Sequence, residues 1–214
     1  LMDQVAQPVQ LAGQDLYVTA SVGISMYPRD GTTASALLIG ADVALSHVKE
    51  SGRNSFHFYT GEMNAHALRW MSLEIHLRHA IERNELRLHY QPQVSLPDGR
   101  VSGAEALLRW HSAELGNVPP GDFIPLAEDS GLILEIGTWV IEEACRQSKA
   151  WQAAGLPPLT VAVNVSARQF ATDTVPAVVR KALSDNGVAP RWLEVELTES
   201  VMMHDSDHTQ MQLN

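Results

Sequence analysis

Three segments from residue 101 onward are apolar on one side and carry carboxylate, amide or guanidinium groups on the other. Side chains alternate faces along a β-strand. In V-S-G-A-E-A-L-L-R-W (residues 101–110), Ala104, Ala106, Leu108 and Trp110 share one face, while Gly103, Glu105, Leu107 and Arg109 share the other. In T-V-A-V-N-V-S, Val161, Val163 and Val165 oppose Ala162 and Asn164; in L-E-V-E-L, Leu193, Val195 and Leu197 oppose Glu194 and Glu196. Helical patterns over residues 134–154 and 175–184 separate these strands. Strands that alternate with helices predict a mainly parallel sheet, its apolar face covered by the helices. Each strand then aims oxygen ligands at the inside of the sheet. Asn164 and Glu196 fall near the C-terminal ends of their strands, where α/β sheets and barrels place ligands.

Carboxylates gathered on such a face repel one another and need compensation. Two Glu and one Asn offer hard oxygen donors, a set that suits Mg²⁺, Mn²⁺ or Ca²⁺ better than zinc. Arg109, on the Glu105 face, is placed to hold a phosphate oxygen. A plainer arrangement has the same spacing: Glu105 paired with Arg109, Asn164 bonded to backbone and Glu196 solvated. Spacing alone does not separate the two.

The start of the chain reads as a strand–helix–strand unit. Val18, Ala20, Val22, Ile24 and Met26 alternate with small polar residues, and Pro28 and Gly31 punctuate a turn. Thr32 or Thr33 then caps a helix whose apolar face is Leu37, Ala41, Ala44, Leu45 and Val48; Gly52 stops it before a short strand at 55–59. Residues 62–85 read as a mostly helical connector. Strands at 86–94 and 100–110 join across Pro97-Asp98-Gly99, a hairpin turn by composition. A Pro-rich loop, Val118-Pro119-Pro120-Gly121, leads to the long helix. The expected domains are 1–61, a connector at 62–85, and 86–214.

The totals exclude several function classes. A formal charge of −10 argues against a broad surface for nucleic-acid polymers, which needs clustered Lys and Arg. With one cysteine in 214 residues no internal disulfide forms, and a reducing, cytoplasmic compartment fits. No apolar run reaches the ~20 residues of a membrane span, so no membrane contact is expected within the chain.

Tyr90-Gln91-Pro92, Glu105-Ala106-Leu107-Leu108-Arg109-Trp110, F-I-P-L-A-E (residues 123–128), Asn164-Val165-Ser166 and Glu196-Leu197-Thr198-Glu199-Ser200 together resemble the EAL family of bacterial cyclic di-GMP phosphodiesterases. The resemblance runs from about Leu73 to the C-terminus. A-S-V-G-I-S-M-Y-P-R-D-G and A-D-V-A-L-S-H-V-K-E-S-G-R-N resemble the C-terminal part of a GGDEF, diguanylate-cyclase-type domain. The two modules commonly occur in this tandem order. The implied fold class is α/β: the first half of a (β/α)8 barrel, preceded by a strand–helix–strand remnant of the GGDEF domain. The implied reaction is metal-dependent hydrolysis of cyclic di-GMP to pGpG with Mg²⁺ or Mn²⁺, Ca²⁺ being inhibitory. Glu105, Asn164 and Glu196 match metal ligands. Gln91, Leu107 and Arg109 match the substrate site, Arg109 at a position contacting phosphate. Glu199 matches a carboxylate that holds a mobile loop, so Glu105, Glu196 and Glu199 form the catalytic set. A homodimer through the EAL domain is implied as well.

Elements expected later in the family, an Asp-Asp pair and a Lys among them, do not follow Glu199 within these residues. A barrel of this kind typically needs ~250 residues. The G-G-[DE]-E-F signature is absent too. Both ends are therefore expected to be truncated, and the isolated chain to be inactive. The alternative to an enzyme is a receptor that binds cyclic di-GMP without cleaving it; a purely structural dimerisation module leaves Glu105, Asn164 and Glu196 without a reason. Other residues carry less. His204 and His208 are expected at a solvated helix start, and Lys49 and Arg53 at a helix C-terminus. Trp70, Trp139, Trp151 and Cys145 are expected to pack.

Overall fold

The computed structural model describes residues 2–11 and 14–197. The chain forms two compact units, Leu1–Ser72 and Leu73–Asn214. Unit one opens with a short helix, α1 (Met2–Val5), and an antiparallel hairpin, β1 (Val9–Leu11) with β2 (Gln14–Leu16), which sequence pattern did not reveal. The expected strand–helix–strand follows as β3 (Val22–Ile24), α2 (Ala34–Glu50) and β4 (Phe56–Phe58), with β3 and β4 parallel. β3 is shorter than the alternation over 18–26 suggested. Beyond Ile24 the backbone leaves the ladder, and the Met26 N–H donates to the Asp30 carboxylate at 2.7 Å instead. Thr33 is the cap, its hydroxyl accepting from the Ala36 N–H at 3.2 Å. A Cβ at Gly23 would collide with the Ala41 carbonyl, so glycine there lets α2 lie directly on β3. Ala44 and Val48 are fully buried on that face.

Helix α3 (Gly61–Leu77) carries the boundary between the units, and Leu73 and Leu77 are its buried residues. In the second unit come β5 (Leu86–Val94), β6 (Val101–Ser112), β7 (Gly116–Val118), α4 (Pro120–Ser130), α5 (Ile133–Ala153), β8 (Thr160–Val165), α6 (Ala167–Phe170), α7 (Val175–Asn186) and β9 (Leu193–Leu197). β5 and β6 form the expected hairpin, closed by the Ser95 N–H donating to the Arg100 carbonyl at 2.8 Å. β6, β8 and β9 are parallel and adjacent in that order. Each new parallel strand is added on the same side of the last. Because such crossovers are almost always right-handed, this order gathers the connecting helices on one face, the layout of a β/α barrel.

That face is the core. Val161, Val163 and Val165 are fully buried, and α5 buries Ile133, Ile136, Ile141, Ala144 and Cys145. Burial pushes the Cys145 thiol up to about 11, so it is an inert packing group. Trp151 stacks edge-on against Tyr90, ring centroids 4.7 Å apart. Helix α4 corrects the sequence reading, which saw only a Pro-rich loop there. Pro119 is the N-cap and Pro120 the first helical residue, where a missing N–H costs nothing; Pro125 lies inside the helix. Among the described residues no helix is long and apolar enough to cross a membrane.

Candidate active site

The sheet register assembles the polar residues into rows. Gln91 of β5 stands opposite Glu105 of β6; Glu105 is paired with Ala162 of β8, and Ala162 with Glu194 of β9. In the Asn164–Glu196 pair, each residue lies two positions further along its strand. Directly paired residues share a face of a sheet. Gln91, Glu105, Asn164, Glu194 and Glu196 therefore all project from the side opposite the buried valines.

Contacts within this group are specific. The Asn164 side-chain N–H donates to Glu105 Oε1 at 2.7 Å. This spends the amide's nitrogen on the carboxylate and leaves its oxygen as an acceptor. Burial raises the Glu196 carboxyl above the ordinary carboxylate range, and the nearby charges of Glu105 and Glu194 raise it further. Below the ordinary carboxylate pKa the group is protonated in both states and costs nothing. As pH rises through the raised value, the folded state must take on an unfavourable charge, so stability falls across that window unless a cation compensates. Two carboxylates and an amide oxygen are hard donors, and the set fits Mg²⁺ or Mn²⁺. Among the described residues no three His, Cys, Asp or Glu side chains group as a metal site.

The plainer arrangement of Glu105 with Arg109 does not occur. Four residues along a strand separate the two Cα atoms by roughly 13 Å. Arg109 instead donates through Nη1 to the Leu108 carbonyl at 2.8 Å, and among the described residues no ion pair joins it to Glu105. Leu107, Arg109, Glu128 and Asn164 are among the residues that line a cavity of about 200 Å³. Burial, with Asp129 beside it, raises the Glu128 carboxyl. Glu199 lies outside the described residues, as do His204 and His208.

Local structure fixes the end of β8. Ser166 caps α6: its hydroxyl accepts from the Gln169 N–H at 3.4 Å, and the Gln169 side-chain oxygen accepts from the Ser166 N–H at 3.0 Å. Gln169 is 5 % exposed, and it lies where a side chain at position 137 would be; Gly137 leaves that space. Arg168 donates to the Glu128 and Asp129 carbonyls, the latter at 3.0 Å, tying α6 to the last turn of α4. Ser166→Ala removes this cap two residues from Asn164. The expected loss is about 1 kcal/mol of stability, read by urea unfolding.

Arg87 and His89 were missed by sequence reasoning. Both lie on the Gln91 face of β5, and pairing the hairpin outward from its turn would have found them: His89 stands opposite Leu107, and Arg87 opposite Arg109.

Comparison with known proteins agrees with this architecture. Residues 75–214 match the family described as EAL domain, and residues 1–55 match the diguanylate cyclase, GGDEF domain. The bifunctional diguanylate cyclase/cyclic di-GMP phosphodiesterase MucR of Pseudomonas aeruginosa is 45% identical over 207 residues, covering 97% of this chain and 30% of that protein. The cyclic di-GMP phosphodiesterase PdeR of Escherichia coli is 38% identical, covering 97% and 31%. The chain thus spans about a third of the length of these two curated relatives. A solved structure, the PaMucR phosphodiesterase in complex with c-di-GMP, is 46% identical with a TM-score of 0.63, covering 66% of this chain and 57% of that one. The Xanthomonas citri FimX EAL domain in complex with c-diGMP is 27% identical with a TM-score of 0.61, covering 70% and 58%. The chain belongs to the EAL-domain family, in tandem with a GGDEF domain that precedes it.

Proposed function

We propose that this chain is part of a metal-dependent phosphodiesterase that hydrolyses one phosphodiester bond of cyclic di-GMP, giving pGpG. The observation that carries the reading is the oxygen cluster of Glu105, Asn164 and Glu196 on the face opposite the helices. These three would hold Mg²⁺ or Mn²⁺. When bound, such an ion supplies charge neutralisation at phosphate and an activated water. The chain's own residues do the positioning. Asn164 orients Glu105 through its N–H; Glu196, held above its ordinary pKa by like charge, gains most from a cation nearby. Arg109 presents a guanidinium to a phosphate oxygen of the dinucleotide. Gln91, opposite Glu105, and Leu107 complete the substrate wall. Glu199 follows the β9 ligand closely in sequence and matches the family's loop-holding carboxylate, as the resemblance implies.

Calcium takes more and longer bonds than magnesium, so it occupies the site without enforcing the geometry and inhibits. The resemblance carries the reading further, to a homodimer through the EAL unit. The single buried thiol, Cys145, accords with a cytoplasmic setting. The test is incubation of the complete protein with cyclic di-GMP and Mg²⁺ or Mn²⁺, followed by chromatography. The expected result is pGpG, and none once EDTA removes the metal. Tight binding without any pGpG would instead establish a receptor.

A further inference from the structure

We propose that Arg87 and Arg109 together form a two-armed anion site that holds the phosphodiester of cyclic di-GMP that is not cleaved. The inference rests on the phosphodiesterase reading and assigns a substrate contact to Arg87, which no motif marked. Arg87 and Arg109 are directly paired across β5 and β6, so both guanidinium groups leave the same face. Facing Cα atoms in such a ladder lie about 4.5–5.5 Å apart. Like charges placed directly opposite are unfavourable, and a fold tolerates them best where an anion lies between them.

Among the described residues no carboxylate supplies that anion. The two arginines, with His89, His111 and Asn117, line a pocket of about 400 Å³ whose walls include no Asp or Glu. This is unusual in a chain with 25 acidic and 15 basic residues. Elsewhere arginines do find partners: Arg29 with Asp30, Arg78 with Glu74, and Arg146 with Glu143. Among the described residues neither Arg87 nor Arg109 has a carboxylate within ion-pair distance; Arg109 bonds only to the Leu108 carbonyl. Both guanidinium planes are therefore available to a phosphate, which they bind in fork geometry.

Position along the strands selects which phosphate. The arginine pair lies four residues beyond the Gln91–Glu105 pair and, by the β6–β8 register, two beyond the row of Asn164 and Glu196, roughly 7–13 Å by strand rise. A phosphate seated over the carboxylates and one gripped by the arginines are thus different groups. A cyclic dinucleotide carries two phosphodiesters and supplies one to each; a ligand with a single phosphate cannot fill both.

The test is steady-state kinetics of the complete protein, wild type against Arg87→Gln and Arg87→Lys, with cyclic di-GMP and Mn²⁺. Losing a charge-assisted contact outside the reacting centre raises KM about tenfold while kcat changes little. Arg87→Lys, which keeps the charge but not the fork, recovers part of the loss. KM in the wild type rises more steeply with salt than in Arg87→Gln. An Arg87→Gln enzyme with wild-type KM overturns the inference and leaves the phosphodiesterase reading standing. A fall in kcat at unchanged KM also overturns it, because Arg87 would then act on the reacting phosphate. A wild type that neither binds nor cleaves cyclic di-GMP overturns both readings together. Arg87 is exposed, so loss of fold is not expected, and circular dichroism verifies it.

Discussion

Glu105→Gln should abolish turnover of cyclic di-GMP by the complete protein, with kcat falling on the order of a thousandfold, the equivalent of about 4 kcal/mol of transition-state stabilisation. The substitution is nearly isosteric. Gln keeps a side-chain oxygen that accepts the Asn164 N–H, so the link between β6 and β8 survives. What it removes is charge. With Glu105 neutral, the cation loses one of its two anionic donors, and Glu196 loses a repelling neighbour. The variant should therefore unfold at the same temperature as the metal-free wild type, or slightly above it. Added Mn²⁺ should stabilise the wild type more than the variant, since a ligand that binds only the folded state raises its stability by mass action. Thermal melts with and without Mn²⁺ separate this loss of function from a loss of fold.

Trp110→Ala should be the most damaging substitution of the core, costing about 3–5 kcal/mol in urea unfolding. Trp110 is 1% exposed and meets Phe123 of α4 edge-to-face, ring centroids 5.6 Å apart. Its indole N–H donates to Glu85 Oε2 at 3.1 Å. Glu85 is itself buried and also accepts the Ala113 N–H at 3.2 Å. Truncation to alanine opens a cavity beneath α4 and leaves a buried carboxylate short of one donor, two costs that add. Trp110→Phe separates them: it keeps most of the ring packing and loses only the hydrogen bond, an expected ~1–3 kcal/mol. Because Trp110 adjoins Arg109 in sequence, the alanine variant should also weaken substrate binding.

What the sequence disclosed depended on whether a pattern was local. The parity of Asn164 and Glu196 was legible because valine and leucine alternate strictly around them in β8 and β9. The hairpin at Pro97-Asp98-Gly99 was legible because its turn chemistry is local; Gly99 takes φ 68°, where glycine is at ease. Helix α4 was hidden by Pro119, Pro120 and Pro125, residues that usually signal loops but sit here at a cap, at the first helical position and inside the helix. The β1–β2 hairpin was hidden because three-residue strands are too short to show alternation. The hydrogen bond from Asn164 to Glu105 joins residues 59 apart in sequence, and only the parallel register of β6 with β8 brings them together. Arg87 was hidden for the same reason. Its face is set by pairing with Arg109, and nothing in its own neighbours marks it.

The proposed site places one divalent cation among Glu105, Asn164 and Glu196. Electron paramagnetic resonance of Mn²⁺, titrated with the complete protein at neutral pH, tests it without reference to turnover. The wild type should quench the signal of the free ion at one site in the EAL unit, and Glu105→Gln and Glu196→Gln should each weaken this binding at least tenfold. Equal binding of Mn²⁺ by the wild type and both variants, or none by the wild type, would contradict it.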